Sequence, residues 1–328
     1  MQIMKLLIAV YHPFELWQAP DWFEQRLGRD FPELKIVRLP NYERVSEEIP
    51  DSDIFLGWSL RPEQFTKAKK LRWIHSTAAA VHQLMNPELA ASDVLVTNAR
   101  EVHGQVVAEH AIALIFALAK RLPDALRHQE RREWAQTEMW KQGIGEVTGS
   151  TLGLIGMGTI GRETAKRARA LGMRVLTVRE HPEKGSEAAE QVVGFQDLDS
   201  VLAQSDFVVL AAPLTVKTQH LMNRARLAAM KHSAFLINVS RGPLIDDAAL
   251  ITALRQKQIA GAALDVFAEE PLPSDSPYWV LENCLITPHT AAVTDKLWER
   301  HYALFTENLR HFLAHEPLKG TVNKRLGY

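Results

Sequence analysis

The sequence predicts an α/β protein with parallel sheets and two domains. Apolar runs of strand length alternate with segments whose apolar residues recur at helical spacing, which is the pattern of a parallel α/β chain. The alternation fills the N-terminal part of the chain and starts again after a loop predicted at 134–150. The length of 328 residues is enough for about two domains of ~150 residues each.

The first series contains five predicted strands with helical segments between them. The strands are Leu6–Val10, Lys35–Leu39, Ile54–Gly57, Arg72–His75 and Val94–Thr97. Helical spacing covers segments such as Trp17–Leu27 and Pro62–Lys69. A long helix follows from about Glu101 to Arg121, and Pro123 lies just beyond its end.

The second series contains six predicted strands and is followed by another helix. The strands are Thr151–Ile155, Arg174–Val178, Phe207–Ala211, Ala234–Val239, Gly261–Val266 and Cys284–Thr287. Helical spacing returns at Asp295–Ala314. Two α/β units joined by two long helices predict a cleft between domains, where small ligands commonly bind.

Composition and charge exclude several classes of protein. The formal net charge is −1, so we expect binding neither to nucleic acid nor to an anionic membrane. The N-terminal apolar run lacks signal-peptide features, and Ala111–Ala119 is too short to span a bilayer. The single cysteine, Cys284, excludes an intrachain disulfide, and its apolar neighbours predict a buried, inert thiol. We expect a cytoplasmic protein without a zinc site, because the cysteine and the scattered histidines lack ligand spacing.

A glycine-rich turn predicts a dinucleotide site. Gly156, Gly158 and Gly161 form G-x-G-x-x-G between an apolar strand and an amphipathic helix that Gly172 closes. In such a turn the first glycine allows the tight bend and the second allows the backbone to approach the pyrophosphate. The third allows close packing of helix on strand, and the helix N-terminus attracts the phosphate charge. The alternative is a glycine turn that binds nothing.

Arg179 occupies the position that usually selects the cofactor. It directly follows the second strand of this unit, where an acid commonly hydrogen-bonds a ribose hydroxyl. A guanidinium there would pair with a 2′-phosphate, and Lys184 is close enough in sequence to assist. The position therefore favours NADP(H). NAD(H) stays open, because Arg179 could face solvent or adenine, and Glu180 could still reach a ribose hydroxyl.

Three charged side chains follow successive strands of the second series. Arg241, Glu270 and His289 come after the strands that end near 239, 266 and 287, and ligands bind beyond the carboxyl ends of such strands. The set suits hydride transfer between a 2-oxo and a 2-hydroxy acid. Arg241 would hold the substrate, His289 would transfer the proton, and Glu270 would orient the imidazole and favour its charged form. Taken singly, Arg241 could instead pair with Asp246, and the other two could be ordinary loop residues.

With these motifs the sequence resembles the D-isomer-specific 2-hydroxyacid dehydrogenases over nearly the whole chain. The resemblance rests on the order and spacing of "VVAEHAIAL" (106–114), "GLIGMGTIG" (153–161), "AAPLT" (211–215), "NVSRGPLID" (238–246), "LDVFAEEPLP" (264–273) and "TPHTAAVT" (287–294). It implies a Rossmann-like, doubly wound cofactor domain, residues 101–290. This domain would be inserted into a flavodoxin-like substrate domain, residues 1–100 plus 291–328.

The resemblance also implies roles for single residues. The family's catalytic Arg, Glu and His fall on Arg241, Glu270 and His289, and Glu270 is preferred to Glu269 because the family's acid directly precedes the proline. Asp265 matches the residue that binds the nicotinamide carboxamide. The remaining candidate cofactor contacts are Met157, Thr159, Ile160, Ala212, Pro213, Thr218 and Val239.

The substrate loop implied by the resemblance is "HSTAAAVHQL", residues 75–84. The backbone N–H groups of Ala79 and Ala80 would bind the substrate carboxylate. The family usually has Gly at the position of Ala80, and alanine narrows the backbone angles available to this loop. His82 replaces a common Asp and is expected at the surface.

Two departures from the family pattern bear on the subgroup. Ala291-Ala292 replaces a common Gly-Gly, and together with Arg179 this makes the chain more similar to the NADPH-using glyoxylate and hydroxypyruvate reductases than to the NAD-linked lactate or phosphoglycerate enzymes. The resemblance also implies a homodimer formed through the cofactor domain. Trp58, Trp134 and Trp140 are candidates for the substrate pocket, a dimer contact or the core.

Two alternative functions remain at this point. One is an NAD-linked D-2-hydroxyacid dehydrogenase of another specificity, or a related formate or phosphite enzyme. The other is a non-catalytic, NAD(H)-sensing protein similar to the corepressors that share this fold.

Overall fold

The chain forms two compact units in the computed structural model, which describes residues 3–81 and 83–324. One unit combines the described residues of Met1–His103 and Thr294–Tyr328, and the other is Gly104–Val293. The first unit is thus made of two chain segments, and the second is continuous. The predicted domain boundaries, 100/101 and 290/291, lie close to these. The position expected for His82 lies outside the described residues.

The first unit contains a parallel five-stranded sheet in the order β2-β1-β3-β4-β5, which is the flavodoxin-like order. Its strands are β1 (Lys5–Ile8), β2 (Lys35–Arg38), β3 (Ile54–Leu56), β4 (Trp73–Ser76) and β5 (Leu95–Asn98). Its helices are α1 (Asp21–Asp30), α2 (Val45–Glu48), α3 (Pro62–Phe65), α4 (Pro87–Ala91) and, close to the end of the described chain, α12 (Leu297–Leu313).

Both faces of this sheet are buried. Leu6 of β1 belongs to one apolar cluster and Leu7 to another, because successive side chains of a strand point to opposite faces. The first cluster includes Phe305 of α12, whose ring stacks on Trp73 with 5.3 Å between the ring centroids. Helix α12 therefore completes the core of a sheet that the N-terminal segment supplies.

The second unit contains a parallel seven-stranded sheet in the order β12-β11-β10-β9-β6-β7-β8. Its strands are β6 (Thr151–Ile155), β7 (Arg174–Val178), β8 (Gln191–Val193), β9 (Phe207–Leu210), β10 (Phe235–Asn238), β11 (Gly261–Leu264) and β12 (Cys284–Ile286). Its helices are α6 (Leu122–Arg131), α7 (Gln136–Lys141), α8 (Thr159–Ala170), α9 (Leu198–Gln204), α10 (Arg224–Ala229) and α11 (Asp247–Arg255). The strand order reverses between β6 and β9, as in a Rossmann sheet, so the predicted fold class is confirmed.

Helix α5 (Arg100–Ala119) begins in the first unit and continues into the second. It is long and apolar enough, by length and composition alone, to cross a membrane. However, Val107, Ala111 and Ile115 are buried in an apolar cluster with Leu152 of β6. The helix therefore packs as a core element of the second unit.

The predicted strands all exist, with ends that differ by one or two residues. Several elements differ from expectation. The predicted loop 134–150 contains α7, whose residues are all at least partly exposed, so no apolar periodicity marked it. Strand β8 is a three-residue edge strand, too short for a pattern. Helix α1 begins later than Trp17, because Pro20 precedes it in extended conformation.

Candidate active site

The glycine turn lies at the point where the strand order of the second sheet reverses. Gly156 follows β6 with φ of 104°, and a Cβ there would meet the backbone of Ala211 and Ala212 at 2.6 to 2.7 Å. A Cβ on Gly161 would lie 2.1 Å from the Gly156 carbonyl oxygen. Gly158 has nothing within 4 Å of an ideal Cβ and directly precedes α8. The turn is therefore tight on its strand side and open at the helix N-terminus, which fits a dinucleotide pyrophosphate.

Three predicted cofactor residues have buried side chains. Met157, Ala212 and Val239 are all at most 5% exposed and belong to the apolar clusters of the second unit. They are placed to offer backbone atoms at the carboxyl ends of β6, β9 and β10. Thr159 and Ile160 lie half-buried in the first turn of α8.

The segment after β9 is held by its own side chains. The hydroxyl of Thr218 donates to the carbonyl of Pro213 at 2.7 Å and accepts from the Thr215 N–H at 2.8 Å. Thr218 is buried and Pro213 is exposed. Ser240 Oγ donates to the Ala212 carbonyl at 2.5 Å and so ties this segment to the one after β10. Thr218 therefore shapes the loop, and Pro213 lies on its surface.

Arg179 lies at the carboxyl end of β7, as predicted. Its Nη1 donates to the Gly185 carbonyl at 2.9 Å, and none of the described carboxylates forms an ion pair with it. The neighbouring Glu180 accepts a hydrogen bond from Lys217 Nζ at 3.3 Å, and both side chains are well exposed. Lys184 is exposed as well. The carboxyl end of β7 therefore lies among cationic side chains, and its acid, Glu180, is paired with Lys217.

A short side-chain contact joins Glu270 and His289. His289 Nδ1 lies 2.6 Å from Glu270 Oε2, and the N–H of Phe267 donates to Glu270 Oε1 at 2.9 Å. Partial burial raises the pKa of Glu270, but the hydrogen bonds from His289 and Phe267 and the charges of His289 and Arg241 lower it more, so the net shift is downward. An ionised Glu270 requires the proton on His289 Nδ1. The imidazole Nε2 is then the ring nitrogen that this contact leaves available.

Arg241 is positioned beside this pair on the loop after β10. Its Nη1 donates to the Ser240 carbonyl at 2.6 Å, and its own carbonyl accepts from the buried Asn238 side chain at 2.9 Å. Burial lowers the pKa of Arg241, and the charge of Glu270 opposes that shift. Asp246, the alternative partner considered from the sequence, instead caps α11 by accepting from the Ala249 N–H at 3.1 Å.

Asp265 is fully buried at the end of β11 and hydrogen-bonds the loop that carries His289. Its Oδ1 accepts from Thr287 Oγ1 at 2.6 Å and from the Thr290 N–H at 2.9 Å, and its Oδ2 accepts from the Ala291 N–H at 3.0 Å. The family resemblance implies a contact of Asp265 with the cofactor carboxamide. The structure adds three contacts within the protein.

The sequence did not identify several residues that hydrogen-bond within the site. His110 Nε2 lies 3.1 Å from Thr287 Oγ1, and both residues stand inside quoted motifs, "VVAEHAIAL" and "TPHTAAVT", so the motifs contained the signal. Ser240 likewise lies in "NVSRGPLID". Lys217 lies in a segment with no pattern that relates it to Glu180.

The predicted substrate loop follows β4 in the first unit. The Ala79 carbonyl accepts from Asn98 Nδ2 at 2.6 Å, and the Ala78 N–H donates to Ser76 Oγ at 3.2 Å. Ala79 and Ala80 are half-buried. Ala80 is not among the residues with positive φ, so alanine fits this backbone without left-handed strain.

The three tryptophans have different environments. Trp58 donates from Nε1 to the Tyr11 carbonyl at 3.2 Å and lies 5.1 Å from the His12 ring, between centroids. Trp134 and Trp140 are 92% and 71% exposed, so neither is a core residue of its unit.

Cys284 is half-buried, and burial raises the pKa of its thiol to about 12, which fits an unreactive side chain. Within residues 3–81 and 83–324, no three His, Cys, Asp or Glu side chains are grouped to hold a metal ion.

Comparison with known proteins adds independent information. The chain matches the model of the D-isomer specific 2-hydroxyacid dehydrogenase, NAD binding domain, over residues 112–291, more than half of its length. It is 36% identical to a glyoxylate reductase of Korarchaeum cryptofilum over 296 residues, which cover 88% of this chain and 87% of the relative. It is 34% identical to a D-3-phosphoglycerate dehydrogenase of Methanocaldococcus jannaschii, covering 86% of this chain but only 53% of that relative.

A solved structure supports the same assignment. The D-isomer specific 2-hydroxyacid dehydrogenase from Xanthobacter autotrophicus Py2, crystallised in complex with NADPH and MES, superposes with a TM-score of 0.83 at 29% identity over 99% of both chains. With a Rossmann sheet, the glycine turn at its switch point and the family match, the chain belongs to the D-isomer specific 2-hydroxyacid dehydrogenases.

Proposed function

We propose that the protein is an NADPH-dependent reductase of small 2-oxo acids, of the glyoxylate and hydroxypyruvate type, that forms the D-2-hydroxy acid. The observation that carries the proposal is the 2.6 Å contact between His289 and Glu270, with Arg241 beside it. All three residues follow strands of the sheet that also carries the glycine turn. The similarity to glyoxylate reductases supports the substrate class.

Each of the three side chains has a separate role in the proposed reduction. Arg241 binds the substrate carboxylate and polarises the 2-oxo group. A bound nicotinamide dinucleotide would supply the hydride. His289 donates a proton from Nε2 to the carbonyl oxygen, which becomes the hydroxyl, and the reverse transfer serves oxidation. Glu270 holds the imidazole by Nδ1 and stabilises the positive charge that the histidine carries before it gives up the proton.

The charges at the end of β7 support NADPH over NADH. Arg179 has no ion-pair partner among the described carboxylates, so it is available to a 2′-phosphate. Glu180 would repel that phosphate, but Lys217 pairs with it and reduces the repulsion. The presence of Glu180 favours a second candidate function, that of an NAD-linked dehydrogenase. In such an enzyme this carboxylate would bind a ribose hydroxyl.

Steady-state kinetics test the proposal directly. The value of kcat/KM is measured for NADPH and for NADH, with hydroxypyruvate and glyoxylate as oxidants, and the chirality of the glycerate product is determined. We expect a preference for NADPH and formation of D-glycerate. A preference for NADH would overturn the cofactor assignment, and no turnover with either acid would overturn the substrate assignment.

We also propose a cytoplasmic homodimer that uses the segment around α6 and α7. Five large apolar side chains there are exposed by 45% or more, namely Leu122, Leu126, Trp134, Trp140 and Ile144. Such a concentration of exposed apolar surface is typical of an interface. Light scattering should give twice the chain mass of 37.0 kDa, and Trp134→Asp combined with Trp140→Asp should give the monomer mass.

A further inference from the structure

We propose that His110 and Thr287 are positioning residues for His289 and act on it through Asp265. Together they hold the loop 287–291 in the conformation that directs the imidazole to the substrate. The inference rests on the proposed reduction, because it concerns the placement of its general acid.

The backbone of His289 needs such support. Its φ is 53°, in the left-handed region that residues with a Cβ rarely adopt. Its N–H donates to the carbonyl of Asp265 at 2.9 Å, so the backbone just after β11 contacts the loop at this residue. Strained conformations of this kind persist only where the surroundings fix them. The direction of the imidazole therefore depends on the contacts of its neighbours.

The carboxylate of Asp265 contacts the loop on both sides of His289. One oxygen accepts from the Thr287 hydroxyl and the Thr290 N–H, and the other accepts from the Ala291 N–H. The side chain is only 1% exposed, so water does not replace a donor that is lost. Loss of one donor should therefore move the loop or leave a buried charge short of a hydrogen bond.

Thr287 connects this carboxylate to His110. A threonine hydroxyl has one proton, and the 2.6 Å contact gives it to Asp265 Oδ1. The hydroxyl oxygen must then accept at 3.1 Å from His110 Nε2, which fixes the proton of His110 on Nε2. The same nitrogen lies 3.5 Å from Asp265 Oδ1. His110 therefore supports both the threonine and the carboxylate.

Helix α5 holds the backbone of His110 in place. Val107, Ala111 and Leu114 surround it in the sequence and are buried in the core of the second unit. A side chain on such a helix keeps its orientation better than a loop residue does. The chain of contacts thus runs from a core helix through His110, Thr287 and Asp265 to the loop of His289.

Two matched pairs of variants separate hydrogen bonding from packing. Thr287→Val keeps the shape and removes the hydroxyl, and Thr287→Ser keeps the hydroxyl. His110→Phe keeps a ring without a donor, and His110→Gln places an amide N–H near the position of Nε2. We expect Thr287→Val and His110→Phe to lower kcat by about 10- to 100-fold through misplacement of the acid, and Thr287→Ser and His110→Gln to restore most of it.

Two further readouts identify positioning as the cause. The Kd of NADPH, from quenching of tryptophan fluorescence, should stay within about two-fold of wild type, because no cofactor contact is removed. In proton NMR, the low-field signal of the His289 Nδ1 proton, assigned by its absence in His289→Asn, should shift or broaden in Thr287→Val and return in Thr287→Ser.

The outcomes distinguish this inference from the proposed function. An unchanged kcat and an unchanged His289 signal in Thr287→Val would overturn the inference. Equal losses in Thr287→Val and Thr287→Ser would also overturn it, since packing and not the hydroxyl would be responsible. If the wild-type protein reduces no 2-oxo acid, the proposed function fails, and the NMR signal still decides whether the network positions His289.

Discussion

Gly242 lies directly against the backbone of Phe267. A Cβ on Gly242 would fall 1.9 Å from the carbonyl carbon of Phe267 and 2.2 Å from its oxygen. The loop that carries Arg241 therefore packs against the loop that leads to Glu270, without room for any side chain. The structural reason for a glycine at this position is the close approach of two backbones, which brings Arg241 beside Glu270.

Substitution of Gly242 by alanine should separate these two loops. We expect kcat/KM to fall by about 100-fold and the protein to lose about 1–3 kcal/mol of stability, because backbone atoms have to move. Gly28→Ala is the matched control: nothing lies within 4 Å of its Cβ in helix α1, so the melting temperature should stay or rise. An active Gly242→Ala with wild-type Tm would contradict the packing argument.

Replacement of His289 by asparagine tests its proposed role as the proton donor. We expect kcat to fall by about 10²- to 10⁴-fold, the usual contribution of general acid–base catalysis, with little change in the Kd of NADPH. His232→Asn, at an exposed position, is the control. Stopped-flow measurement of NADPH oxidation with hydroxypyruvate gives the rate. Turnover close to wild type would remove His289 from the mechanism.

Arg179→Asp should invert the cofactor preference. A charge-assisted hydrogen bond to phosphate contributes about 1.5–3 kcal/mol, so kcat/KM for NADPH should fall by about 10- to 100-fold while that for NADH changes little. Arg174→Asp makes the same charge change at the opposite end of β7, where Arg174 pairs with Glu190 at 2.8 Å. If both variants lose activity with NADPH equally, the loss comes from the overall electrostatic field of the protein and not from a contact with the 2′-phosphate.

The ionisation of Glu270 should appear in the pH dependence of stability. Its pKa is lower in the folded protein than its ordinary value of 4.5, so its contribution to stability is present above that value and is lost as the pH falls through the folded pKa. The difference in free energy of unfolding between wild type and Glu270→Gln should therefore be seen at about pH 7 and shrink below about pH 4.5. Urea titrations at each pH measure it, with Glu269→Gln as the control. A difference in unfolding free energy that grows as the pH falls would contradict this prediction.

His75 should make the first unit sensitive to acid. Complete burial lowers its pKa to about 3, so the unfolded chain binds a proton below about pH 6.5 that the folded chain does not. Stability should then fall with decreasing pH between these values, by about 1.4 kcal/mol per pH unit for this residue. His75→Asn should have a correspondingly shallower slope of unfolding free energy against pH. Parallel slopes for the two proteins would show that His75 does not titrate between the two states.

The sequence predicted the parts of the site that follow strands. Arg241, Glu270 and His289 each come after an apolar run, and the carboxyl ends of parallel strands share one edge of a sheet. Their association follows from that geometry without knowledge of any distance. The glycine turn was predictable for the same reason, because its spacing and its flanking strand and helix are local features.

The contacts that support the site could not be predicted in this way. His110 and Thr287 are 177 positions apart, and no periodicity relates a helix residue to a loop at that separation. Lys217 and Glu180 are 37 positions apart, and no sequence pattern relates these two residues either. Helix α7 escaped prediction because none of its side chains is fully buried, so it has no apolar face to mark it.

The stacking of Phe305 on Trp73 has a consequence for biosynthesis. The ribosome makes the strands of the first sheet before it makes α12. The face of that sheet that carries Leu6 and Trp73 therefore has α1 on it but lacks the second helix, with Phe305, until the C-terminal segment emerges. The second unit is continuous and is complete by then. Translation therefore leaves the first unit open to aggregation or to chaperones for the time needed to synthesise the second, and the order of folding differs from the order of the sequence.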